Sequence, residues 1–325
     1  MNLAPEELVL NVPDVKSLVW DGDDLIDWVM GGQRISLSGA IQPPGIYHSY
    51  RFDSAIASPS GRFTALFEKL GTKALLLDHG KLSRELNRSY YCADVYEYPI
   101  SFLSLPDGTE AIAHCPRDYC RIDIEIAETG RCLTDAANRK PADIFHSRLS
   151  VSPGGTSLLS AGWIWHPLGV ACLWPLEAVL ADSRVLDESA ISLSFDNEVE
   201  SAVFLGQDRL AVATGNNYPD GPPSSESLCI LNAADGSLLA RHHLAFTAGT
   251  LVPFSSDLVL SLHQHPRLLS TLDGRVVYEW PHLKTGQQTS SIIQHLDAIP
   301  IFAKHPQLPM FAVVDEEKIT VVTVK

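Results

Sequence analysis

No stretch of this 325-residue chain approaches the roughly 18 consecutive apolar residues that a membrane-spanning helix needs. Its first residues, Met1-Asn2-Leu3-Ala4-Pro5-Glu6-Glu7, have no basic cluster ahead of an apolar core, which speaks against a secretory signal and for a cytoplasmic protein. Basic charge is scarce, with 24 Lys and Arg against 39 Asp and Glu and a net charge of −15. That balance repels nucleic acid and anionic membrane surfaces, and it suits either solubility alone or a basic protein partner. No basic stripe with interleaved aromatics offsets it; Arg84, Arg88, Tyr90 and Tyr91 make one small cluster, expected to be a local surface feature.

Paired cysteines are missing too. Cys92, Cys115, Cys120, Cys132, Cys172 and Cys229 include no Cys-x-x-Cys and no zinc-finger spacing with histidine, so reduced and mostly buried thiols are expected. Cys115 and Cys120 flank an expected hairpin and could face each other across it, where a disulfide could join them. Signature motifs of catalysis are equally thin. The chain has no Gly-x-Ser-x-Gly elbow, no Walker loop, no Gly-x-Gly-x-x-Gly and no His-Glu-x-x-His.

What the chain does have is a repeat. Seven times an apolar run meets a turn and then a second apolar run, with the turns at Gly22, Gly61, Gly108, Gly155, Gly206, Ser256 and Pro306. Successive intervals are 39, 47, 47, 51, 50 and 50 residues. A unit of short strands recurring at about 40–50 residues predicts propeller blades. Within the third unit, Ile100–Leu105, Glu110–Cys115 and Tyr119–Ile126 alternate between Gly-, Pro- and Asp-rich turns, and Arg131-Cys132-Leu133 follows, giving four expected strands a to d. A later c–d turn recurs at Asp78-His79-Gly80, Asp235-Gly236 and Asp273-Gly274.

The last unit is one strand short. The run at 7–12 at the other end of the chain can supply it, closing the ring and removing the exposed edges of an open array. The expectation is an all-β, seven-bladed propeller, its last blade closed by an N-terminal strand. Blades are expected at 13–53, 54–97, 98–140, 147–190, 198–246, 249–284 and 298–325, the last completed by 7–12.

Ser58-Pro59-Ser60-Gly61-Arg62, Leu105-Pro106-Asp107-Gly108-Thr109 and Val151-Ser152-Pro153-Gly154-Gly155 resemble the Ser-Pro-Asp-Gly turn of WD-repeat and YVTN-type propellers. The chain departs from true WD repeats in that no blade opens on Gly-His, and its lone Trp20-Asp21 follows a first strand. The resemblance implies a binding platform whose b–c turns and d–a connectors emerge together around the channel. Fold alone does not assign an activity.

The longest irregular segments fall in those two classes. Asn216, Asn217, Tyr218, Asp220 and Glu226 belong to a b–c insertion in the fifth blade, while 285–297 and 136–145 are d–a connectors. Long loops in compact domains often carry function, and surface insertions are also simply tolerated. Arg117, Trp165, His166, His263 and His265 are candidates at other b–c turns. Trp163 and Trp165 are two residues apart and share a strand face, as interface anchors or as packing between blades. His263 and His265 would share a face if 262–265 is extended, and with His114 and His166 they could converge on a metal or stand as ordinary hydrogen-bonded histidines.

No cofactor or metal is expected. The expected function is non-catalytic binding of a protein partner, basic in charge, through the loop-rich face; one form is a bacterial toxin-neutralising immunity protein. The alternative is a lactonase-like hydrolase or a sugar-acting enzyme at the channel mouth.

Overall fold

The computed structural model describes residues 4–165, 168–188, 191–193, 198–215, 226–293 and 300–325. Seven small antiparallel sheets make up the ring of a seven-bladed β-propeller. Every one of the seven expected a–b turns joins the first two strands of a blade, from Val19–Asp21 and Asp24–Asp27 in blade 1 to Phe302–Lys304 and Met310–Asp315 in blade 7. Glu6–Asn11 pairs with Lys318–Thr323 over six residue pairs, Leu10 opposite Ile319, and is the outer strand of the last blade.

The middle strands are sandwiched between neighbouring blades and read as apolar runs. Phe63–Phe67 is buried along its whole length. The outer strand of the same blade, Lys81–Asn87, faces water and is mostly charged or polar. One apolar cluster lies at each blade interface. Leu10, Trp20, Leu25 and Ile319 pack blade 7 onto blade 1, and Phe63, Leu76, Phe102 and Ile112 pack blade 2 onto blade 3.

Polar latches reinforce the ring at the a–b-turn end. Glu110 of blade 3 accepts from Ser60 N at 2.9 Å and from the Ser58 and Ser60 hydroxyls of blade 2. Arg209 of blade 5 donates to Ser256 O at 2.8 Å in blade 6. Trp20 Nε1 donates to Ala303 O at 3.1 Å across the seam where the two ends of the chain meet.

Two blades depart from the four-strand template. In blade 3 the expected fourth strand is reduced to a single bridge between Glu125 and Cys132, flanked by hydrogen bonds from Ile126 N to Arg131 O at 3.0 Å and from Leu133 N to Ile124 O at 2.7 Å, while Arg131 N turns back to Thr129 Oγ1. The expected third strand begins only at Asp123, since residues before it form the b–c turn. In blade 4 a one-and-a-half-turn helix, Leu176–Ala181, and a 3₁₀ turn, Ser183–Asp187, connect the third strand to the fourth. Leu176 and Val179 of that helix are buried against the blade 3–blade 4 core.

All six cysteines are free thiols, so Cys115 and Cys120 are not bridged. Among the described residues no helix is long and apolar enough to cross a membrane.

Candidate functional site

The inner strands of blades 1, 2, 3 and 7 and their a–b turns line a cavity of ≈ 980 Å³, including Trp20, Ile56, Phe102 and Phe302. This is one end of the central channel. The other end, where b–c turns and d–a connectors emerge, is closed by Arg148, which sits in the connector to blade 4 at φ 43°. Its guanidinium donates to Glu97 Oε1 at 2.8 Å, Glu200 O at 3.1 Å, Thr250 Oγ1 at 2.9 Å and Ser290 O at 2.7 Å. One side chain thereby ties together the approaches to five blades. Burial pushes the Glu97 carboxyl up, but the positive charges of Arg148 and Lys69 and hydrogen bonds from Arg148 and Gln288 hold it below the usual glutamate range.

Beside this plug, a second polar feature lies on blade 5. Glu200 is 3% exposed, and a Cβ at Gly215 would collide with its Oε1 while standing 3.2 Å from Glu226 Oε2. The Oε2 atoms of both carboxyls are buried without a hydrogen-bond partner among the described residues. Burial and the neighbouring Glu226 raise the Glu200 carboxyl to about 8. Burial also raises Glu226, against a hydrogen bond that its Oε1 accepts from Thr247.

On blades 3 and 4 the same face carries an aromatic stack. Trp163 and Phe145 stack at 3.9 Å and Phe145 and Tyr119 at 4.2 Å, and Tyr91 lies 5.1 Å from Tyr119 with its ring tilted by 31°. Trp165 stands across the stack, at 90° to Phe145 and 76° to Tyr91. Trp163, Phe145 and Tyr96 are buried, whereas Tyr91 is 43% exposed, Trp165 46% and Tyr90 85%. The stack starts in the core and ends in water.

Its supports explain why these rings meet. Phe145 and Trp163 exchange backbone hydrogen bonds of 2.8 and 3.1 Å, an approach that requires glycine at 162, since a Cβ there would strike the Phe145 carbonyl. The connector bearing Tyr91 is wrapped around Arg88. That guanidinium donates to Gly71 O at 2.7 Å, Ala93 O at 2.7 Å and Tyr96 O at 3.0 Å, and lies 4.6 Å from the Tyr96 ring and 4.8 Å from Tyr98. Arg88 is therefore a buried strut and not the surface residue expected from its polar neighbours, because backbone carbonyls from two segments satisfy its donors. The connector with Asp143 and Phe145 is held by Arg139, which donates to Asp187 and to Ile122 O. Tyr119 donates its hydroxyl to Asp143 Oδ1 at 2.5 Å, and this bond, with burial, raises the phenol above its usual range.

The sequence-expected candidates divide into three groups. Trp165 belongs to the aromatic stack and Glu226 to the carboxylate pair. Arg117, His263 and His265 lie at the expected b–c turns but are engaged locally: Arg117 pairs with Asp135 at 2.9 Å, and His265 Nε2 stands 3.3 Å from Glu279 Oε2. Residues 262–265 are not an extended run, because Gln264 adopts φ 67° to bridge Gly286, so His263 and His265 do not share a strand face. His263 is held below its usual range by burial and by Arg267. His114 is buried on blade 3 with Nε2 3.1 Å from Glu125 Oε1. Among the described residues no group of three or more His, Cys, Asp and Glu could hold a metal. Asn216, Asn217, Tyr218, Asp220 and His166 lie outside the described residues.

Of the two tryptophans expected on one face, Trp163 went to the core and Trp165 to the surface. Sequence reading places Tyr91 only in a small surface cluster and misses Tyr119, Phe145 and Arg148. They are scattered over connectors and a b–c turn of blades 2 to 4, and only the paired Tyr90-Tyr91 and the Trp163-x-Trp165 pattern signalled an aromatic surface.

No family model matches the chain, and no curated protein matches it. Solved structures do. A chain in the crystal structure of the mitotic checkpoint complex matches with a TM-score of 0.61 and 13% identity, over 97% of this chain and 90% of that one. The fold is that of a WD-repeat-like propeller. A computationally designed protein, Ika8, matches with a TM-score of 0.59 and 11% identity over 98% of this chain and 99% of that one. Likeness at such identities concerns the fold alone.

Proposed function

We propose that this protein is a non-catalytic binding propeller that holds a basic protein partner through its connector and b–c-turn face. The observation that carries this reading is the aromatic stack, whose buried end is locked into blade 4 and whose free end presents Tyr91 and Trp165 to solvent. Rigid aromatic anchors lose little side-chain freedom on association, and Trp and Tyr dominate binding energy at interfaces. The acidic balance of −15 favours a basic partner, because complementary charge speeds encounter and disfavours wrong partners. Membership of a complex, as in the mitotic checkpoint neighbour, is in keeping with this use of the fold.

The test is affinity capture from the native host at low and high salt, comparing wild type with Trp165→Ala and Tyr91→Ala. The expected result is one basic protein in near-equal amount, weakened by salt and lost by about tenfold or more in the variants. A specific partner retained equally by both variants would remove this face from the interface. The immunity form of the reading predicts that co-expression protects cells from the captured partner; growth inhibition by that partner, unrelieved by this protein, would eliminate it.

A further inference from the structure

The free end of the stack has a shape and a charge of its own. Tyr91 and Trp165 are 6.4 Å apart with ring planes at 76°, so two partly exposed rings meet as the walls of a corner. Carboxylates are carried by the segments that build it. Asp94 is in the turn that bears Tyr91, Asp118 precedes Tyr119, and Asp143 is bonded to Tyr119. All three are exposed, and none forms an ion pair with a described residue. Asp143 offers Oδ2 after its Oδ1 has accepted the tyrosine hydroxyl.

Building on the binding role argued above, we infer that this corner is a seat for an arginine side chain of the partner. An aromatic corner without charge would take any apolar side chain. Three unpaired aspartates on its segments make an apolar occupant leave them uncompensated, while a cation satisfies both the ring quadrupoles and the carboxylates. Between the two natural cations, the planar guanidinium fits better. It stacks flat on one wall and directs its N–H groups sideways to a carboxylate, whereas an ammonium is a compact, strongly hydrated charge. Tyr119, fixed by Asp143, stacked on Phe145 and in tilted contact with Tyr91, sets the orientation of the Tyr91 wall. It is a positioning residue.

The experiment follows the Trp165 indole N–H by NMR, assigned by its loss in Trp165→Phe, during titration of the whole protein with acetyl-Gly-Arg-Gly-amide. Parallel titrations use the citrulline peptide, neutral but nearly isosteric, and the lysine peptide. The arginine peptide should shift the indole signal with a Kd on the order of millimolar, and citrulline should bind at least about fivefold more weakly. In Trp165→Leu, which keeps apolar volume but lacks that indole, binding is followed by saturation transfer to the arginine peptide, and this signal should vanish while thermal unfolding is unchanged. Asp143→Asn and Asp94→Asn should each weaken it by about threefold and flatten its salt dependence. Equal binding of the citrulline peptide would overturn the cation seat, and equal binding of lysine would overturn the assignment to arginine. A partner whose capture needs Trp165, with an indole signal that no arginine peptide moves, would leave the binding role standing and sink this inference alone.

Discussion

Arg148 Nε donates to Glu97 Oε1 at 2.8 Å across the loop-side end of the channel. The pair is shielded, and it belongs to connectors from different blades. Replacing Arg148 by Met removes all four of its hydrogen bonds and leaves the Glu97 carboxylate without its ion-pair partner, held only by Gln288 and the more distant charge of Lys69. The expected loss is about 3 kcal/mol in urea unfolding, because a buried charge without its partner is costly. Arg148→Met combined with Glu97→Gln should recover part of it. A loss under about 1 kcal/mol for the single variant would mean that the plug is ornamental to stability.

The same ion pair sets an acid limit. Glu97 is held below its ordinary value in the folded protein, so its contribution is present above the unfolded value and disappears as pH falls through the folded one. Acid unfolding of Glu97→Gln should therefore be less steep than that of wild type below pH 4.5. Identical acid limbs would contradict this assignment.

Glu200 acts in the opposite sense. Its carboxyl is raised from 4.5 to about 8 by burial and by Glu226, so between these values the folded protein keeps a proton that the unfolded chain has released. This stabilisation is complete below pH 4.5 and is lost as pH rises through 8. Glu200→Gln, which mimics the protonated form, should flatten the profile and exceed wild type by on the order of 2 kcal/mol at pH 9. Chemical denaturation at pH 5, 7 and 9 decides it; parallel profiles for the two proteins would refute a proton at Glu200.

Gly162 offers a structural test of the aromatic stack. A methyl group there collides with the Phe145 carbonyl and forces the two strands apart. Gly162→Ala is expected to cost about 2 kcal/mol or more and to weaken the near-ultraviolet dichroism of the packed tryptophans. An unchanged spectrum would show that Phe145 and Trp163 do not need this close approach.

The architecture could be read from the chain because each blade repeats a local rule. Gly61, Gly108 and Gly155 sit at turns with φ of 75°, 83° and 70°, which glycine adopts without strain, and the apolar runs beside them become buried strands. Blade 3 lost its fourth strand since Cys132 has only Glu125 to bridge, a matter of tertiary contact that alternation does not encode. The face that carries the proposed site was harder to see. Tyr91 and Phe145 come from separate connectors and Tyr119 from a b–c turn, and each looks unremarkable alone. Arg88 misled for a related reason: five carbonyl groups around one guanidinium are invisible until the 90–98 connector has folded over it. Residues His263 and His265 were placed on the correct turn, yet the left-handed Gln264 between them altered where they point.

The strand that seals the ring has a consequence for biosynthesis. Glu6–Asn11 emerges from the ribosome before blade 1, but its hydrogen-bonding partner, Lys318–Thr323, follows only after blades 1 to 6. Until then its backbone and the exposed Leu8 and Val9 have no ladder to join, and an unpaired apolar strand is a template for other chains. Blades 1 to 6 can condense through neighbouring contacts while translation proceeds; the final closure waits for a contact of very long sequence separation. A nascent chain of this protein is thus most prone to association until Lys318–Thr323 has emerged, and a holding chaperone that covers Glu6–Asn11 would protect it through that interval.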